Sequence, residues 1–176
     1  MIYLVILLLL LLICIIYFNL MKKRENEVKN AYSSLDIMFK RRNDLIPNLV
    51  NCVKGYIKYE KDTLNELINA RTSFNKDSIK YDNIVNKNLN NLFLLSENYP
   101  NLKANEEFLN LQKSLYDMEE LISAGRRTYN AHVTSFNNFI SYFPNLIFAK
   151  IFNFKKYDLF KINKEDKKDR IYYGNK

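Results

Sequence analysis

Residues 2–21 carry no charged side chain and consist almost entirely of Ile, Leu, Val, Tyr and Phe. About 20 such residues in a helix match the thickness of a bilayer core. A cleaved signal peptide fits poorly: no basic region precedes the run, the run is too long, and no small-residue cleavage site follows it. Lipoprotein processing at Cys14 fits no better, because Ile13 holds the preceding position where a small residue is needed. The expectation is a retained single-pass anchor, with Tyr3, Tyr17 and Phe18 near its ends, where aromatic rings favour the interface. Lys22, Lys23 and Arg24 follow at once and are candidates for contact with the membrane surface. The positive-inside tendency then predicts an external N-terminus and a cytoplasmic remainder.

The chain has 176 residues but only three glycines and three prolines, too few for an all-β fold with its frequent turns. Trp is absent, so 13 Tyr and 12 Phe must supply the bulky packing. A net charge of +8 suits either nucleic acid or an anionic membrane surface. The basic residues are interspersed with acidic ones and form no recognition motif, so no nucleic-acid binding is expected. Cys14 lies in the apolar run and Cys52 on a helical apolar face, which implies no disulfide framework.

Val28, Tyr32, Leu35 and Phe39 are spaced four, three and four, as on one face of a helix. Asp44 and Pro47 together predict a tight corner near residues 43–47, with Asp44 capping a new helix; a single long helix kinked at Pro47 is the alternative. Leu45, Leu49, Cys52, Val53 and Tyr56 resume the stripe, and Leu64, Leu67, Ile68 and Phe74 continue it. Gly55 falls inside that helix and suggests close helix contact. Residues 75–83 are polar and lose the period, so they read as a loop. A shorter helix follows, with Leu89, Leu92, Phe93 and either Leu95 or Ser96 inward, and stops before Tyr99-Pro100.

Asn105 is placed to cap the longest element, with Glu106 and Glu107 in the first turn, where negative charge suits the helix dipole. From Phe108 through Leu115, Ile122, His132 and Phe136 to Phe143, apolar steps of three and four predict a coiled-coil-like seam about 58 Å long at 1.5 Å per residue. Residues 144–162 are apolar and basic but too short to span a bilayer. Two readings stand for them: a segment that folds back on the bundle end, or one lying on the membrane with Lys150, Lys155 and Lys156 near lipid phosphates. Residues 163–176 are charged and polar, as in a disordered tail. The expected divisions are an anchor over 1–21, a helical bundle over 22–143, the apolar-basic segment and the tail.

The tract KRRNDLIPNLV at residues 40–50, VKGY at 53–56 with Glu60, and SENYPNLKANEEFLNLQ at 96–112 stand in one order with Arg126, Arg127, Tyr129 and Asn130. Phe143-Pro144-Asn145, Phe152 and Phe154 complete the series. From the anchor to about Phe160 this pattern resembles the LemA family of single-pass membrane proteins. Where that family has an alanine-rich stretch, residues 72–91 are rich in Asn, Lys and Ser. The resemblance implies an all-α fold: an N-terminal transmembrane helix, then an antiparallel up-and-down bundle of about four helices. It implies a bacterial protein and brings no enzymatic activity with it.

The residues themselves point the same way. His132 is the sole histidine, and the Glu-x-x-His pairs of a di-iron bundle are missing. Zinc would need more Cys or His. A Cys52–His132 nucleophile pair lacks the electropositive setting that activates a thiol. No Gly-rich phosphate loop is present. No catalytic, cofactor-binding or metal-binding residue is therefore expected. The group Arg41, Arg42, Asp44, Arg126 and Arg127 has two readings: Asp44 as a helix cap or paired with one arginine, with the others solvated or in interhelical pairs at bundle ends, or a patch docking an acidic partner or phosphate. The expected function is a non-enzymatic scaffold or adaptor at the inner face of the cell membrane, with lipids and an unidentified protein as partners and self-association open. The alternative is a lipid-interacting protein that organises the membrane.

Overall fold

The computed structural model describes residues 1–56, 65–69 and 78–160, and all regular structure among them is helical. The elements are α1 (Ile2–Lys54), α2 (residues 65–69), α3 (Ser78–Ser96), α4 (Pro100–Lys103), α5 (Glu106–Phe139) and α6 (Asn145–Ile151). Leu64, Phe74 and the tail expected over 163–176 lie outside the described residues.

Helix α1 runs unbroken through Pro47, so the expected corner at 43–47 does not form and Asp44 caps nothing. An interior proline costs about 3 kcal/mol. Burial outweighs it: Phe39, Ile46, Leu49, Val50 and Val53 all lie in the core, each such side chain contributing about 1.5–3 kcal/mol. A corner would dislocate one half of this row from the other. Met21, Val28, Leu35, Arg42 and Leu49 recur every seven residues and are all buried; Phe39, Ile46 and Val53 form the second row. The helix ends at Lys54, which places Gly55 in the following turn. Among the described residues a Cβ there would meet only Cys52 O at 4.0 Å, so Gly55 makes no close helix contact with them.

The chain divides into two compact units. One joins Asp36–Ala124. Within it Arg42 meets Glu119, and Cys52 meets Asn105, so α1 and α5 run antiparallel. Asn86 meets Glu119 while Phe93 meets Phe108, so α3 and α5 are antiparallel as well. First and third helices are thereby parallel, as an up-and-down bundle requires. Helix α3 begins at Ser78, several residues inside the stretch expected as a loop. Its inward face starts with Tyr81 and Asp82 and continues through Val85, Leu89, Leu92 and Ser96. Between α3 and α5, Pro100 opens the single turn α4, which buries Leu102. Asn105 Oδ1 then accepts from Phe108 N at 2.9 Å, the expected cap of α5.

The other unit joins Met1–Leu35 with Gly125–Phe160. Its core is Met21, Val28 and Leu35 of α1 with Tyr129, Val133, Phe136 and Ile140. The seam thus passes through Val133, leaving His132 half-exposed with Nδ1 3.9 Å from Glu27. Helix α5 has 34 residues, about 51 Å, and ends four residues short of the expected Phe143. Each of its last carbonyls has a partner: Phe136 O accepts from Ile140 N, Asn137 O from Ser141 Oγ, Asn138 O from Ser141 N and Phe139 O from Asn145 Nδ2. Helix α6 stops in a Schellman motif, with Asn153 at φ 56°. There Phe154 N donates to Ala149 O and Asn153 N to Lys150 O.

Candidate functional site

Arg42 occupies a core position in the seven-residue repeat of α1 and is fully buried. Nη2 donates to Asp82 Oδ1 at 2.7 Å; Nη1 donates to Asn86 Oδ1 at 2.7 Å and Glu119 Oε2 at 2.8 Å. The rings of Phe39 and Tyr81 each lie 5.5 Å from the guanidinium carbon, within cation–π range. Tyr81 Oη donates to Asn43 Oδ1 at 3.3 Å. Burial pushes the Tyr81 phenol above its ordinary value despite the opposing pull of Arg42. A buried ion pair gains little net stability over a hydrophobic one, but this one joins three helices, with acceptors on α3 and α5. Arg42 is therefore an internal tie between α1, α3 and α5, not a surface docking residue.

The rest of the expected docking group divides between the two units. Arg41 and Asp44 are exposed on α1 in the unit of Asp36–Ala124, while Arg126 is half-buried and Arg127 exposed in the unit that begins at Gly125. Cys52 and His132 fall in different units as well. Burial raises the Cys52 thiol above its ordinary pKa and the Glu107 charge adds to it, the reverse of nucleophile activation.

The end of the apolar run is a second cluster, in the unit with Met1–Leu35. Lys22 and Lys23 are exposed, and Lys22 Nζ lies 2.6 Å from Glu25. Arg24 instead turns onto α5: its guanidinium carbon sits 4.4 Å from the Phe139 ring centroid and Nη1 donates to Ser135 Oγ at 2.8 Å. Glu25 accepts from Lys22, Lys29 and Tyr157 Oη. Burial pulls its carboxyl up, but those three hydrogen bonds outweigh burial and leave the pKa below the ordinary value. Lys150, Lys155 and Lys156 are all exposed. Tyr17 stacks on Phe148 at 4.4 Å between centroids and Phe18 meets Phe152 at 5.1 Å. The segment after Pro144 thus does fold back, onto the end of the apolar run.

Sequence reasoning missed how the C-terminal strap, residues 155–160, is held. Asn137 Nδ2 donates to Tyr157 O and its Oδ1 accepts from Tyr157 N; Asn130 does the same for Phe160. Tyr129 Oη donates to Asp158 O at 3.1 Å. Asn130 and Asn137 are two helical turns apart, about 10.5 Å. Three residues of extended chain cover about 10 Å, so both clamps are met in one register. The spacing of seven between two asparagines on one helix face was the available signal.

A sequence profile of the LemA family matches residues 31–171. The chain belongs to the LemA family. Protein LemA of Metamycoplasma hominis is 26% identical over 140 residues, covering 76% of this chain and 64% of that protein. The chain therefore spans less than two thirds of that relative's length. The LemA match begins after the apolar run and includes the buried Arg42 cluster, the Asn105 cap and both asparagine clamps.

Proposed function

We propose that this LemA-family chain is a non-enzymatic scaffold or adaptor, anchored in the cell membrane by residues 2–21 with its N-terminus outside and its bundle in the cytoplasm. One observation carries the anchor. Residues 2–12 of α1 are exposed in the folded chain, whereas the same helix is a core element from Val28 onward. The described helices include one long and apolar enough to cross a membrane, and it is this one. So much apolar surface facing water is untenable, and lipid is the solvent that suits it. Lys22 and Lys23 beside it support the cytoplasmic side. The raised Cys52 thiol argues against Cys52 as a nucleophile.

Arg41 and Asp44 on one unit and Arg127 on the other are the exposed members of the expected group and offer charged surface to a protein partner. The test has two arms. Alkaline extraction of cell membranes leaves an anchored chain in the pellet, and a tag after Lys176 resists protease in intact cells. A photo-crosslinker at Arg41 yields a discrete adduct that Asp44→Lys diminishes. Release into the supernatant refutes the anchor, a digested tag refutes the orientation, and the lack of any adduct counts against the adaptor role.

A further inference from the structure

Helix α6 has two faces, and neither is polar in the way a water-facing surface helix is. Phe148, Ala149 and Phe152 turn inward onto Tyr17, Phe18 and the core. The outward face carries Leu146, Ile147 and Ile151, all exposed, with Tyr142 and Phe143 exposed just before them. Phe143 is 82% and Ile151 66% accessible. Lys150 emerges between these apolar side chains, and Lys155 and Lys156 follow. Apolar anchors among lysines are the signature of a segment lying in a membrane interface.

Position selects the occupant. The inward face docks on Tyr17 and Phe18, the last aromatic residues of the apolar run, just before Lys22 and Lys23. That is the depth at which aromatic rings and lysines favour the headgroup boundary. Phe148 and Phe152, on the inward face of the helix that exposes Ile147 and Ile151, are in ring contact with Tyr17 and Phe18, so α6 sits at the end of the apolar run. We infer that Tyr142–Ile151 forms a lipid-facing foot, with its outward side chains in the bilayer interface and Lys150, Lys155 and Lys156 at the phosphates. This rests on the anchor reading above.

The chain contains no Trp, which makes a direct test available. Single replacements Phe143→Trp, Ile151→Trp, Leu10→Trp and Ala131→Trp are introduced in the full chain, each at an exposed residue. Each chain is reconstituted in phosphatidylcholine–phosphatidylglycerol vesicles with lipids brominated near the headgroup or deep in the tail. Phe143→Trp and Ile151→Trp are expected to lose most of their fluorescence to the shallow bromines. Leu10→Trp should lose most of its fluorescence to the deep ones, and Ala131→Trp should lose little to either. Unquenched Phe143→Trp and Ile151→Trp beside a quenched Leu10→Trp overturn the foot alone and assign the patch to a second copy or a protein partner. An unquenched Leu10→Trp overturns the anchor itself. Equal quenching at Ala131→Trp overturns a localised foot.

Discussion

Replacing Arg42 with methionine isolates the contribution of the buried cluster. The substitution keeps a long side chain in the α1 core but removes the cation that lies 2.7 Å from Asp82 and 2.8 Å from Glu119. The Asp82 side chain is 5% exposed and stays largely shielded from water, whereas Glu119 is 32% exposed and can rehydrate. The cost therefore falls mainly on Asp82, and breaking a buried pair by removing its cation costs about 3–5 kcal/mol. At 1.4 kcal/mol per factor of ten, protection of amides in the middle of α3 should fall roughly a hundred- to several-thousand-fold. Hydrogen exchange on the full chain in nanodiscs, read at Val85 and Leu89, measures this within the unit that holds the cluster. Adding Asp82→Leu removes the buried charge and should restore at least half of the loss in free energy, because a hydrophobic replacement of a buried pair is often neutral. If Arg42→Met changes protection by less than about tenfold, or if the double variant is no better than the single one, the cluster does not tie the helices together.

Three further outcomes follow from the same structure. Glu25 has a depressed pKa in the folded chain, so the stability it contributes is present above the ordinary value near 4.5 and is lost as pH falls through the folded value. Glu25→Gln should flatten that part of a thermal-midpoint titration between pH 7 and pH 3; an unchanged slope would remove the Lys22–Lys29–Tyr157 cluster as its cause. Asn130→Ala deletes two hydrogen bonds to the strap, about 1–3 kcal/mol locally. The Phe160 amide should then exchange at least about fivefold faster, and no acceleration there would mean the clamp does not hold the strap. Gly55 has no positive φ and an added Cβ meets only ordinary contact, so Gly55→Ala should be neutral or stabilise by up to about 1 kcal/mol in chemical denaturation. A clear loss of stability would restore the close-approach reading.

Features that depend on local pattern were legible from the sequence: the apolar run, the Asn105 cap and the period of α5 from Phe108 to Tyr129 all follow from residue type at fixed spacing. The errors arose where a polar side chain points inward. Counting only apolar positions made α1 look interrupted at Arg42–Pro47 and made α3 start late, because Arg42 and Asp82 each occupy a core position and satisfy one another. Neither residue announces burial by itself; only the sevenfold recurrence from Met21 to Leu49 does. The end of α5 was overrun for a related reason, since aromatic residues continue to Phe143 while its last carbonyls are satisfied at Phe139. Within the basic flank, Lys22, Lys23 and Arg24 look equivalent in sequence, yet Arg24 turns onto Phe139. The strap was hard to read because its partners are main-chain groups, which every sequence supplies, and only the spacing of Asn130 and Asn137 hinted at it.

That last feature bears on how LemA-family chains diverge. Asn130 and Asn137 read the peptide groups of Phe160 and Tyr157, so the exposed Asp158 and Leu159 between them are free to drift in identity. Length is another matter. One residue gained or lost between the clamped positions shifts an extended chain by about 3.3 Å, and then only one clamp can close. Among relatives that keep both asparagines, this stretch should tolerate almost any substitution at its middle positions and no insertion or deletion at all.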